Sequence, residues 1–180
     1  FGGQTALNCG VALYKEGSAC FWVSSRPPTD GLDRHCRQTV GIYAGSDIAG
    51  RVLYPFFHAN ILHASLNSWC LLSMVFIYDI GIWRLVLAYI IAVTIPVDTI
   101  ECFIGEMTSP TVGLSGIVYV LLGSISFEVL RKQYYQLWMI FYLTAGFLFP
   151  HTNAILHLWC YMLGFLVALL NKPIIKKSHD

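Results

Sequence analysis

From Phe56 onward, the chain is a succession of long apolar runs separated by short polar joints. Five runs, at residues 58–78, 83–100, 114–130, 134–150 and 154–171, have the length of about 17–25 residues that a membrane-crossing helix needs. Because the bilayer core offers no partner to free backbone groups, such segments must be helical there. The sequence therefore predicts an all-α polytopic membrane protein.

The composition excludes several other classes of protein. Of 180 residues, 56% are hydrophobic and 12% are charged, which is too apolar to cover a soluble globule. The net charge is +1 and no basic stripe is present, so we expect the lipid bilayer, and no nucleic acid, as a partner. The six cysteines lack CxxC spacing, and we predict no metal and no cofactor.

We divide the chain into three parts. Residues 1–57 are predicted to be an N-terminal segment and non-cytoplasmic loop, residues 58–171 a transmembrane core, and residues 172–180 a cytoplasmic tail. A marginal apolar stretch near residues 6–22 contains Lys15 and Glu16, and each charge at mid-membrane costs roughly 2.5–3.5 kcal/mol. This stretch is therefore a poor membrane span, and we leave open whether the chain is a fragment, since it begins with Phe1.

The basic residues predict the orientation of the five spans. Lys and Arg follow the first, third and fifth spans, whereas the joint after the second span carries only acidic charges. Since cytoplasmic joints are enriched in Lys and Arg, the first group of joints is assigned to the cytoplasm. The residues used are Arg84, Arg131, Lys132, Lys172, Lys176 and Lys177 on that side, and Asp98, Glu101 and Glu106 on the other.

Four polar residues are embedded in the apolar spans: His63, Asn67, Ser115 and His157. Polar groups in a bilayer are costly unless they serve a function or are paired. At about 1.5 Å per helical residue, all four lie roughly 18–24 Å above the cytoplasmic ends. They are therefore predicted to converge on one site, which opens to the non-cytoplasmic side.

These residue types suit acyl transfer. A serine hydroxyl becomes a nucleophile when a neutral imidazole takes its proton, which assigns Ser115 and His157 to catalysis. His63 and Asn67 are four residues apart, so they share a helix face and can donate to one oxyanion. The N–H of Ser115, at a helix N-terminus, is a third candidate donor.

Each residue also has a structural interpretation. A lone serine in a membrane helix usually bonds its own backbone, and a lone histidine or asparagine often bonds another helix. Because all four residues are predicted to lie at one depth in the membrane, we favour a shared functional site. Gly113 and Gly116 flank Ser115 and are predicted to leave room for a substrate backbone to reach the hydroxyl. The GLSG sequence is not the nucleophile elbow of soluble hydrolases, because position 117 is isoleucine and no strand precedes the serine.

Three segments resemble motifs of the rhomboid family of intramembrane proteases, over about residues 50–171. They are GLSGIVYVLLG at 113–123, HANILHASLN at 58–67 and ILHLWCYMLG at 155–164. The resemblance implies a nucleophile at Ser115 with Tyr119 packed on the catalytic His157, and oxyanion-binding side chains at His63 and Asn67. It also implies a structural role for three further residues: His58 in the loop, Asp79 as a helix-capping carboxylate, and Gly164 in the last helix.

Two positions in this region depart from the family pattern. Cys160 stands three residues after the histidine, where the family has a glycine that lets the serine and histidine helices approach closely. The Trp-Arg pair of the family's first loop is absent, and Gly50-Arg51 lies nearby. The resemblance also implies a first core helix near residues 6–22, and this helix is either degraded or missing.

The resemblance implies a serine endopeptidase that cleaves transmembrane protein substrates through a Ser-His dyad, without a cofactor. Two alternatives stay open. A rhomboid-like pseudoprotease would bind membrane clients without cleaving them, and would usually lack the serine or the histidine. A small transporter would also place polar residues inside a bundle, but in both halves of the membrane.

Overall fold

The computed structural model describes residues 38–105, 110–148 and 152–170, and in these ranges the regular elements are all helical. A short helix α1 (Ile48–Leu53) runs into a 3-10 turn (Tyr54–Phe56). The larger helices, in chain order, are α2 (Ile61–Ile77), α3 (Ile82–Val93), α4 (Val97–Ile104), α5 (Ser115–Ser124), α6 (Lys132–Gly146) and α7 (Ala154–Leu170). Each of the five predicted spans contains a helix.

Helix α2 follows the first predicted span closely. Asn60 caps it, since the side-chain oxygen of Asn60 accepts a hydrogen bond from the His63 N–H at 2.8 Å. After Tyr78, the C-cap, the chain leaves the helix through Asp79, which has a positive φ of +46°. This capped start places His63 and Asn67 in the first two turns, on one face.

The second predicted span, residues 83–100, is not continuous. It is divided into α3 and α4, whose axes differ by 48°. The break falls at Thr94–Pro96, because proline lacks the N–H that would continue the helix and its ring disfavours a helical conformation in the preceding residue. Of the described helices, none taken singly combines the length and the apolar composition needed to cross a bilayer, while α3 and α4 meet that criterion together.

The third predicted span is also shorter as a helix than the sequence suggests. α5 ends at Ser124, and turns occupy residues 125–131. Arg84 lies at this end of α5: its Nη2 donates to the carbonyl of Ser124 and its guanidinium is 2.8 Å from the carboxylate of Glu128. A cation at a helix C-terminus is favourable to the helix dipole. The depth predicted for Ser115 assumes a continuous helix through the whole third span, to about residue 130, and is therefore wrong.

Helix α5 is the centre of the bundle. All of its residues are buried except Tyr119 and Leu122, which are half-buried. It packs most closely on α7, where a Cβ added to Gly123 would overlap the carbonyl oxygen of Tyr161 and one added to Gly164 would overlap that of Val120. The two glycines therefore bring the backbones of α5 and α7 into contact.

The segment before the core was predicted to be mostly loop, and its described part differs. Residues 48–56 form α1 and the 3-10 turn, and Asp47 caps α1 by accepting from the Gly50 N–H at 2.7 Å. Ile42 pairs with Thr111 in an isolated antiparallel bridge. The predicted marginal helix at 6–22 and the predicted tail at 172–180 lie outside the described residues.

Candidate active site

Ser115 and His157 meet at the N-terminal ends of α5 and α7. Ser115 Oγ lies 2.9 Å from His157 Nε2, which is hydrogen-bond distance. Ser115 is buried, with 6% of its surface exposed. The two residues are 42 positions apart in sequence, and the close approach of α5 and α7 is what brings them together.

Tyr119 lies one helical turn after Ser115 and stacks on the imidazole of His157. The ring centroids are 4.3 Å apart and the ring planes differ by 17°. Cys160, where the family pattern has glycine, is completely buried. The thiol is therefore accommodated between the helices without separating Ser115 from His157.

His63 and Asn67 face the loop that leads into α5. A Cβ added to Gly113 would lie 2.8 Å from Cε1 of His63 and 3.6 Å from Nδ2 of Asn67, and Gly113 has a φ of +132° that favours glycine. Asn67 is buried, and its Nδ2 has no hydrogen-bond partner among the described residues. An unpaired buried amide is costly, so this donor is available to an incoming oxygen.

The start of α5 is held by the preceding loop. The N–H of Leu114 donates to His58 Nε2 at 3.3 Å, and the N–H of Gly113 donates to the Tyr54 carbonyl at 2.9 Å. His58 also makes an edge contact with His63, with ring centroids 5.5 Å apart. The Ser115 N–H opens the helix, where the first N–H groups lack intrahelical acceptors and the dipole is positive. An oxyanion would therefore be stabilised here.

Two supporting residues differ from their predicted roles. A Cβ on Gly116 would overlap the hydroxyl of Tyr54, so this glycine makes room for packing beneath the site and not for a substrate above it. Asp79 is exposed, and the N-cap of α3 is Gly81, with no side-chain hydrogen bond to the helix, so the Asp79 carboxylate does not cap α3. Asp79 instead occupies the left-handed position after α2.

Sequence reasoning missed Asn153. Its side-chain oxygen accepts from the Leu156 N–H at 3.0 Å, and its amide nitrogen donates to Thr111 Oγ1 at 2.9 Å. An asparagine directly before an apolar run is a helix-start signal, so the first contact could have been expected. The second joins positions 42 residues apart, and no local pattern indicates it.

An open cavity of about 940 Å³ lies beside the site, between α2, α5 and α6. Asn67 and Tyr119 line its end nearest the serine, and aromatic residues of α6 line its far wall. These include Tyr134, Tyr135, Trp138 and Tyr142. The cavity is large enough to admit several side chains of another molecule.

Comparison with known proteins gives the family. A sequence profile described as the Rhomboid domain matches residues 46–174, which contain all of the site residues described above. No curated protein and no solved structure gave a significant match. The matched range covers well over half of the chain and agrees with the helical bundle. The chain therefore belongs to the rhomboid family of integral membrane proteins.

Proposed function

We propose that the protein is an intramembrane serine endopeptidase whose nucleophile is Ser115 and whose general base is His157. The rhomboid family consists mostly of such proteases, although inactive members exist. The observation that carries the proposal is the 2.9 Å contact between Ser115 Oγ and His157 Nε2, with Tyr119 stacked on the imidazole. Both reacting groups are retained in hydrogen-bond geometry, which supports catalysis over client binding alone.

In the proposed reaction, Ser115 Oγ attacks the carbonyl carbon of the scissile peptide bond as His157 Nε2 takes its proton. His157 then gives this proton to the leaving amine nitrogen, the C–N bond breaks, and an acyl-enzyme remains on Ser115. Water attacks the ester, its proton passes through His157 to Oγ, and the acid is released. The carboxylate of a Ser-His-Asp triad orients the imidazole, and it is dispensable where packing already does so. The Tyr119 ring supplies such packing on His157.

The oxyanion would be stabilised by donors around Gly113. A Cβ placed on Gly113 would lie 3.3 Å from His63 Nε2 and 3.6 Å from the unpartnered Asn67 Nδ2. In this proposal both groups donate to one oxygen together with the N–H of Ser115. Removing a single donor of this kind typically costs about 10²–10³ in rate. The missing side chain of Gly113 makes room for the His63 ring, and not, as the sequence predicts, for a substrate backbone.

The family acts on transmembrane substrates within the bilayer. We propose that a substrate helix reaches Ser115 through the cavity between α2 and α6, and that it unwinds locally to expose its backbone. Segments with helix-destabilising residues and a small residue at the cleaved position are then the expected substrates. The site would open to the non-cytoplasmic side, with Arg84 and the end of α5 toward the cytoplasm.

The test is labelling of the purified, detergent-solubilised protein with a fluorophosphonate, which reacts with activated serines. Wild type is expected to be labelled, and both Ser115→Ala and His157→Ala to lose the label. Ser126→Ala is the matched control, because Ser126 is buried away from the dyad. A folded wild type that takes no label would contradict the proposal and favour a client-binding protein without protease activity.

A further inference from the structure

Both the oxygen and the nitrogen of the Asn153 side-chain amide form hydrogen bonds, one with α7 and the other with the segment before α5. The oxygen caps α7 through the Leu156 N–H at 3.0 Å, and the nitrogen donates to Thr111 Oγ1 at 2.9 Å. Helix capping requires only the oxygen, and serine or aspartate would do it as well. The contact with Thr111 is therefore an additional feature, specific to an amide of this length.

The two joined residues have matching positions relative to the dyad. Thr111 lies four residues before Ser115, and Asn153 lies four residues before His157. Each is held to the main chain around it: Thr111 exchanges two backbone hydrogen bonds with Ile42, and the Asn153 carbonyl accepts from the His157 N–H at 3.2 Å. A shift of either residue is therefore transmitted to the start of its helix.

The backbones of α5 and α7 come into contact further down the bundle, at Gly123 and Gly164. At about 1.5 Å per residue, this glycine contact is roughly 12 Å from Ser115 along α5 and roughly 10 Å from His157 along α7. With the glycine contact alone, a relative tilt of about 5° would move the dyad atoms by about 1 Å. Misplacement of that size can reduce a reaction rate by about 10²-fold.

We infer that Asn153 and Thr111 are a pair of positioning residues that hold Ser115 and His157 at reacting distance by joining the segments that lead into α5 and α7. This inference rests on the proposed function. The pair touches neither reacting atom and acts through the helix starts. Together with the glycine contact, it supports the α5–α7 interface on both sides of the dyad.

The test measures the rate of fluorophosphonate labelling and the thermal unfolding of the full chain in detergent. Thr111→Val keeps the shape and removes the hydroxyl, and Asn153→Ser keeps a helix cap but is too short to reach Thr111. Each is expected to label up to about 10²-fold more slowly, while unfolding within about 2–4 °C of the wild-type temperature. Thr111→Ser, which retains the hydroxyl, should label at the wild-type rate.

The double variant Thr111→Val with Asn153→Ser tests whether the two single variants act by removing the same hydrogen bond or by two independent effects. It should label no more slowly than the slower single variant, because both changes remove the same bond. The inference is overturned if Thr111→Val labels at the wild-type rate, or if the two losses multiply. A folded wild type that is not labelled at all would instead refute the proposed function, and this inference with it.

Discussion

Helices α5 and α6 are neighbours in sequence, but they are packed very differently. α5 is buried along nearly all of its length and contacts α7 backbone to backbone at Gly123 and Gly164. In α6, only Met139 and Leu143 are buried, and the helix borders the 940 Å³ cavity. The difference indicates that the two proposed reacting residues lie on a tightly packed pair of helices, while the substrate route that we propose lies along a loosely packed one.

The described hydrogen bonds of α6 to its neighbours lie near its start. Tyr135 Oη donates to the Leu122 carbonyl at 2.7 Å, and Tyr161 Oη donates to Gln136 Oε1 at 2.6 Å. Further along, Leu137, Ile140 and Phe141 are all more than half exposed. In a membrane this face meets lipid, whereas the opposite face packs in a small apolar cluster that Tyr119 also contacts.

The largest effect is expected for Gly164→Ala at the α5–α7 contact. The added Cβ would overlap the backbone oxygen of Val120, and rigid backbone cannot yield cheaply. Overpacking of this kind costs about 1–3 kcal/mol, and separating the helices would also abolish fluorophosphonate labelling. Thermal unfolding and labelling in detergent measure both effects. Gly81→Ala, where no atom lies within 4 Å of the new Cβ, should change neither.

Gly113→Ala should affect reactivity more than stability. Its Cβ would lie 2.8 Å from His63 Cε1, and the φ of +132° is unfavourable for alanine. Displacement of the oxyanion donors predicts a loss of about 10²-fold in the labelling rate. Gly105→Ala is the matched control, because Gly105 also has a positive φ but no atom lies within 4 Å of the new Cβ. Equal losses in both variants would show that backbone strain alone is responsible.

Tyr119→Leu tests the ring stacked on His157. Loss of an aromatic pair removes about 0.5–1.5 kcal/mol, so we expect a labelling rate reduced by up to about tenfold. Tyr119→Phe keeps the ring and should label as wild type does. If Tyr119→Phe loses as much of the labelling rate as Tyr119→Leu does, the hydroxyl of Tyr119 matters and the stacking does not.

The smallest effect on fluorophosphonate labelling is expected for a substitution in α6, the loosely packed helix. Tyr135→Phe removes the hydrogen bond to the Leu122 carbonyl, which should lower the free energy of unfolding by about 0.5–1.5 kcal/mol. The labelling rate should change little, because the described hydrogen bonds of Ser115 and His157 do not involve α6. A loss of labelling comparable to that of Gly164→Ala would remove the contrast between the two helices.

Much of the fold could be predicted because long apolar runs and rare intramembrane polar residues are local signals. The sequence indicated all five helical segments, and Ser115, His157, His63 and Asn67 do lie together, although their roles in catalysis stay a proposal. Hydropathy alone does not predict the break between α3 and α4. Pro96 is a local signal for this break, but its effect is on backbone geometry and not on hydropathy.

Other features could not be read from the sequence, since they depend on contacts between distant segments. The end of α5 at Ser124 is stabilised by Arg84, which was counted only as an orientation signal. The packing of Gly116 against Tyr54 and the bond between Asn153 and Thr111 likewise join residues remote in sequence. Such contacts carry no periodicity, and only the packed structure identifies them.

The most direct measurement for the central claim is to map the fluorophosphonate adduct by peptide mass spectrometry. A single adduct on Ser115 in wild type, and none in a folded His157→Ala variant, is the predicted result. An adduct on another residue, an equal adduct in His157→Ala, or no adduct on a folded wild type would each contradict the proposed dyad.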